Sequence, residues 1–154
     1  MKGLWAPFAI GVVAGLRSMS AAAALVRVAS FGRSRVSWIP AGMGSRGLAT
    51  TAALVEMAGD KLPFAPDRRI GPSVVVRLAI GAVGGVALAG RNAPPLDSAL
   101  AGVAGAILGT LLGRAARGSN TRSGMDWARA LAEDAVAAGL ATAVVRSADR
   151  RGWH

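Results

Sequence analysis

Long apolar stretches separated by short polar segments run through the whole chain. The first stretch, residues 4–28, is long enough to cross about 30 Å of hydrocarbon, although Arg17 stands near its middle. Polar or proline-containing segments separate it from the later stretches. The pattern predicts five helical segments, of which three to five span a membrane. These segments are residues 4–28, 46–60, 73–90, 96–116 and 126–146.

The composition indicates that these helices belong to a membrane protein. Hydrophobic residues make up 53% of the chain and charged residues 17%, where soluble domains average about a quarter charged. Aromatic residues are only 5%, and alanine and glycine fill much of the apolar share. Such a chain is short of bulky core residues and of surface charge. We therefore expect one integral membrane domain over residues 1–154, an all-α polytopic bundle of about four or five helices.

The net charge of the chain limits the expected partners to two classes. A net charge of +10 favours either nucleic acid or an anionic membrane surface. The arginines are spread along the chain, mostly at the ends of apolar runs, and no nucleic-acid-binding motif accompanies them. We expect the lipid bilayer as partner, and no nucleic acid. Lysines and arginines divide evenly between the two sides of a five-span arrangement, so the positive-inside rule gives no orientation. Either one segment does not span, and the short segment 46–60 is then the one expected, or the protein inserts in both orientations.

Catalytic chemistry has no support in the sequence. The chain has no cysteine, and its single histidine is His154, the last residue. The usual general base and the usual zinc ligands are therefore missing, and no catalytic motif appears. We expect neither enzymatic activity nor a cofactor.

Glycines recur at intervals of four within the predicted helices. Small residues at this spacing let helix backbones approach closely in lipid. They predict close helix packing, and the alternative is a pore or a dimer seam. The glycines concerned are Gly11, Gly15, Gly81, Gly85, Gly105, Gly109 and Gly113.

A weak internal repeat is also visible. Residues 53–58 resemble residues 130–135, and each segment follows a glycine-rich helix. The first two predicted helices would then repeat as the fourth and fifth in the opposite orientation. Inverted repeats are typical of transporters, with substrate sites near the midplane. Chance similarity between alanine-rich segments is the alternative.

Several charged residues fall at the depth of the predicted bilayer. A charge at the bilayer centre costs about 2.5–3.5 kcal/mol, so such groups face the interior, form pairs or line a wet path. Arg17 has no partner nearby in sequence, and we expect Glu56 or Glu133 beside it. Arg77 also fits a side chain that extends to the interface from a helix end. The candidate ion or solute site comprises Arg17, Ser18, Ser20, Glu56, Asp60, Lys61, Arg77, Glu133 and Asp134.

Each part of this candidate site has a structural alternative. The charges can form an ion-pair network without ligand. Glu56 and Asp60 share a helix face and can hold a cation, or Asp60 and Lys61 can simply end the helix. Residues 15–20 can interrupt the first helix and expose its ends to an ion, or their serines can satisfy the freed backbone.

The residues that carry these features resemble a known family. Segments 11–20 and 56–63, with Pro66, Arg68, Arg77 and the Gly81-Ala82 pair, resemble the Domain of Unknown Function 4126 family of small bacterial integral membrane proteins. The resemblance covers most of the chain and is best over residues 11–85. It implies a bacterial inner-membrane location and adds weight to Arg17, Glu56, Asp60 and Lys61, but it implies no activity. Similar proteins often have proline after the Ser-Met-Ser element, where this chain has Ala21 and Ala22.

These features together favour a small transporter or channel-like protein that moves an ion or a small polar or anionic solute. So few short helices can scarcely enclose a path alone, so we expect a homo-oligomer in the multi-pass bacterial cytoplasmic membrane. One alternative is a non-transporting membrane scaffold or accessory subunit. Another is an anionic-lipid-binding or lipid-handling protein that uses interfacial arginines for headgroups.

Overall fold

The computed structural model describes residues 3–59, 71–90, 92–116 and 124–150. These residues form six α-helices and contain no strand, which confirms the all-α prediction. The helices are α1 Trp5–Leu16, α2 Ser18–Ser30, α3 Met43–Gly59, α4 Gly71–Ala87, α5 Pro95–Ala116 and α6 Gly124–Arg150.

The first predicted helix is two helices, with a break at Arg17. The Arg17 backbone is extended, at φ −145° and ψ 103°. Its N–H donates to the Val13 carbonyl at 2.6 Å and closes α1, while its own carbonyl accepts from the Ala21 N–H at 3.2 Å and starts α2. The predicted interruption within residues 15–20 is confirmed.

The second helix turns back along the first. A Cβ placed on Gly84 of α4 would lie 3.1 Å from Ile10 Cγ2 and 3.3 Å from Leu25 Cδ1. Ile10 and Leu25 stand on either side of Arg17 in sequence, yet both reach the same point of α4. Further along, the Arg35 N–H donates to the Ala87 carbonyl at 3.0 Å. Residues 5–30 therefore form a helical hairpin whose tip is Arg17.

Helices α1, α4 and α5 pack through glycines. A Cβ on Gly11 would meet the Gly102 carbonyl oxygen, and one on Gly81 would lie 2.8 Å from the same atom. A Cβ on Gly15 would meet Ala106, one turn further along both helices, so α1 and α5 run parallel. A Cβ on Gly85 would meet the Ser98 carbonyl oxygen. Because Gly85 follows Gly81 while Ser98 precedes Gly102, α4 runs antiparallel to α5.

This packing bears on the predicted inverted repeat. Its glycine segments lie on α1 and α5, which run in the same direction. An inverted repeat requires opposite directions, and α5 is continuous where the first segment is broken. The structure therefore does not show the inverted relationship between these two helices.

The outward face of α5 is apolar. Pro95–Ala115 is long and apolar enough to cross a membrane, with a mean hydropathy of 1.6, whereas the other apolar helices in the described ranges are shorter. The multi-pass arrangement remains a prediction. Large apolar side chains exposed on α5 are Leu96, Leu100, Ile107, Leu108, Leu111 and Leu112.

Candidate functional site at the hairpin tip

Polar side chains from α3, α4, α5 and α6 converge on the hairpin tip. In the described part of the chain, Glu56 (α3), Arg77 (α4), Thr110 (α5) and Asp134 (α6) each contact residues 15–19. A helical hairpin places its break at one end of the packed core, where the neighbouring helices can reach it. The tip is therefore the point at which the charges of separate helices meet.

Arg17 and Asp134 form an ion pair at this tip. Arg17 Nη2 contacts Asp134 Oδ1, and the two side chains are only 3% and 13% exposed. Breaking a buried pair by removing one partner leaves an uncompensated buried charge, which is strongly destabilising. The pair ties α6 to the junction between α1 and α2.

The carbonyl oxygen of Gly15 accepts from two other helices. Arg77 Nη1 donates to it at 2.9 Å, and Thr110 Oγ1 lies 3.5 Å away. Thr110 also donates to the Ala106 carbonyl of its own helix at 2.8 Å. Carbonyls in the last turn of a helix lack intrahelical partners. Arg77, itself only 5% exposed, therefore places a cation at the negative end of the α1 dipole.

The opposite charge lies at the start of α2. Glu56 Oε2 accepts from the Met19 backbone N–H at 3.1 Å. The first N–H groups of a helix are also without intrahelical partners, and the dipole there favours an anion. The carboxylate of Glu56 therefore occupies the position at which helix amino ends bind anions.

The structure places most of the predicted site residues together. Arg17, for which the sequence predicts Glu56 or Glu133 as a neighbour, pairs with Asp134. Arg77 does not extend to an interface, because it is buried and bonded inward. Ser18 and Ser20 are buried in the first turn of α2. Asp60 and Lys61 lie outside the described residues, as does the side chain of Glu133.

The predicted packing glycines lie mainly in the seam between α1, α4 and α5. Gly105 faces Phe8 and Val12, and Gly109 faces Val12 and Gly15, so both approach α1 backbone to backbone. Gly113 is buried. The remaining four are Gly11, Gly15, Gly81 and Gly85, described above.

Sequence reasoning missed two contributors. Thr110 is the one polar side chain within residues 99–113, which is the signal that could have identified it. Gly102 is contacted from both α1 and α4, but it precedes Gly105 by three residues and so falls outside the spacing of four.

The charges of the tip balance. Among the charged side chains described at the tip, Arg17 and Arg77 carry two positive charges and Glu56 and Asp134 carry two negative charges, so these four cancel. Within the described ranges, no group of three or more metal-binding side chains comes together.

No protein-family model, curated protein or solved structure matches this chain.

Proposed function

We propose that this protein is a small multi-pass protein of the bacterial cytoplasmic membrane. It moves an ion or a small polar or anionic solute through the hairpin tip. The apolar outward face of α5 and its length support a lipid environment. The composition, with 53% hydrophobic and 17% charged residues, supports the same environment. The resemblance to a membrane-protein family agrees with this proposal.

One observation carries the transport proposal. The break at Arg17 leaves one helix end negative and one positive, and side chains from other helices, Glu56 and Arg77, occupy both ends. In transporters, discontinuous helices expose such ends to ions and to anionic substrate groups. A side chain that holds a helix end can be exchanged for a solute, whereas a continuous helix offers no such position.

The hairpin also supports an orientation. Because α2 returns towards the level at which α1 begins, most arginines with described side chains lie at that end of the bundle, and Arg114 lies at the other. Under the positive-inside rule, the arginine-rich end faces the cytoplasm. The arginines at this end are Arg27, Arg33, Arg35, Arg46 and Arg146. The homo-oligomer follows from the small number of helices, which enclose little space alone.

Flux through reconstituted protein tests the proposal. Wild-type protein in liposomes is expected to pass a small ion or solute, and Glu56→Gln is expected to abolish the flux while the protein stays monodisperse. Asp97→Asn is the matched control, because Asp97 is an exposed carboxylate on α5 far from the tip. Equal flux in Glu56→Gln and wild type would contradict the role of Glu56.

A specific observation also favours a second function, that of a non-transporting scaffold. Both ends of the helix break already have partners from within the chain, Glu56 for Met19 and Arg77 for Gly15. A scaffold predicts that Arg17→Ala and Glu56→Ala lower the melting temperature, and that no solute shifts the wild-type melting temperature. Saturable stabilisation by a solute separates the transporter from the scaffold.

A further inference from the structure

We infer that the amino end of α2 binds a small monovalent anion, a monocarboxylate or an inorganic anion of similar size. The anion takes the place that the Glu56 carboxylate now occupies. This inference rests on the proposed function and deepens it, because it names the chemical class of the solute at the tip.

The amino end of α2 already holds an oxyanion. Glu56 Oε2 lies 3.1 Å from the Met19 N–H, although the two residues are 37 positions apart in the chain. A helix amino end presents N–H groups and a positive dipole end to whatever anion reaches it. The bond to Glu56 shows that the position is accessible to a carboxylate from outside the helix.

A second observation at the same place is the Ser20 hydroxyl. Ser20 is only 7% exposed, and among the described residues its Oγ has no hydrogen-bond partner. In an α-helix the Cα–Cβ bond tilts towards the amino end, so the Cβ of this third helical residue lies towards the end that Glu56 occupies. Buried polar groups are nearly always hydrogen-bonded. An anion accepting from Met19 N–H and Ser20 Oγ would satisfy this hydroxyl.

Charge balance sets the class of the anion. The four charged side chains described at the tip cancel, so exchange of one carboxylate for one monovalent anion leaves their balance unchanged. Glu56 is only partly buried and can withdraw, whereas Asp134 stays paired with the almost fully buried Arg17. A divalent anion would add an uncompensated negative charge in a buried place, which is costly. Acetate and nitrate therefore fit the position, and sulfate does not.

Binding to the full-length protein in detergent tests this inference. The melting temperature is measured while sodium acetate or sodium nitrate replaces sodium sulfate at constant ionic strength. Saturable stabilisation is expected for acetate or nitrate. Ser20→Ala should weaken the affinity by about tenfold, as the loss of a hydrogen bond to a charged group predicts. Glu56→Gln should tighten it by about tenfold, because the neutral amide competes less well.

Matched variants separate binding from stability. Ser30→Ala changes a serine at the other end of α2, where Oγ donates to Val26, and it should leave the affinity unchanged. No saturable shift in wild type, or equal affinity in wild type and Ser20→Ala, would overturn the inference. If Glu56→Gln fails to fold, isothermal titration of wild type against Ser20→Ala decides the question alone.

The same measurements distinguish this inference from the transport proposal. Anion binding that depends on Ser20, without flux in liposomes, supports the anion position and overturns transport. Flux that does not change with acetate, with nitrate or in Ser20→Ala overturns the anion position and still supports the transport proposal.

Discussion

Glu56 and Arg77 bind the donor and the acceptor of one backbone hydrogen bond that a continuous helix would contain and that the break at Arg17 removes. In a continuous helix the Met19 N–H would donate to the Gly15 carbonyl, because those residues stand four apart. The break at Arg17 separates them, and Glu56 takes the N–H while Arg77 takes the carbonyl. Each side chain carries the charge that its helix end favours. The hairpin tip is thus held by side chains from α3 and α4.

Removal of Arg77 should destabilise the hairpin. Arg77→Met keeps an apolar stem of similar length but leaves the buried Gly15 carbonyl without its charged donor. Loss of a partner by a buried polar group costs about 1–3 kcal/mol, so the free energy of unfolding should fall by that amount in a denaturant titration. Arg27→Met, an exposed arginine on α2, is the control and should change little. Equal stability of the two variants would contradict the role of Arg77.

Gly102 should tolerate no added methyl group. A Cβ on Gly102 would meet the Gly81 carbonyl oxygen, which is backbone and cannot rotate away. Gly102→Ala should therefore lower the free energy of unfolding by about 1–3 kcal/mol, the usual cost of overpacking. Gly139→Ala on α6 has nothing within 4 Å of the added atom. That variant should be neutral or raise stability by about 0.4–1 kcal/mol. If Gly102→Ala were more stable than Gly139→Ala, the helices α1, α4 and α5 would have room for a methyl group between them.

The helices were predictable from the sequence because long apolar runs between polar segments are typical of helices. The break was predictable as well, since Arg17 and two serines interrupt an otherwise apolar run. The reversal at the break was not predictable. A break in a helix can bend, continue or reverse the chain, and only the contacts of Ile10 and Leu25 with Gly84 fix the direction. The even division of charges assumed a continuous first span, and the hairpin removes that assumption.

The residue types of the site were predictable, but their pairing was not. Arg17 needed a carboxylate, and the chain offered several at suitable depth. Successive residues of a helix are rotated by about 100° about its axis, so the rotation of α6 decides which of its residues face Arg17, and Asp134 is one that does. That rotation depends on the packing of Ala137 against Val12 and Leu16. The role of Glu56 was hidden for another reason, because its partner is a backbone N–H.

The Arg17–Asp134 pair should show strong coupling in a double-mutant cycle. Arg17→Met alone or Asp134→Leu alone removes one partner of the buried ion pair, and each should cost about 3–5 kcal/mol. The double variant should recover much of that loss, because two apolar side chains replace the pair. Arg114→Met, an exposed arginine on α5, should stay within about 0.5 kcal/mol of wild type. Additive losses in the double variant would show that the two residues do not depend on each other.

The absence of cysteine makes the membrane arrangement directly testable with single-cysteine variants. Ile107 is 48% exposed on the apolar face of α5, so Ile107→Cys would react with a water-soluble maleimide unless lipid or another subunit covers it. We expect no reaction, before or after bacterial spheroplasts are opened. Trp38, 70% exposed between α2 and α3, lies at the arginine-rich end, so Trp38→Cys should react only after opening. Reaction of both variants at equal rates in closed spheroplasts would contradict the span and the orientation together.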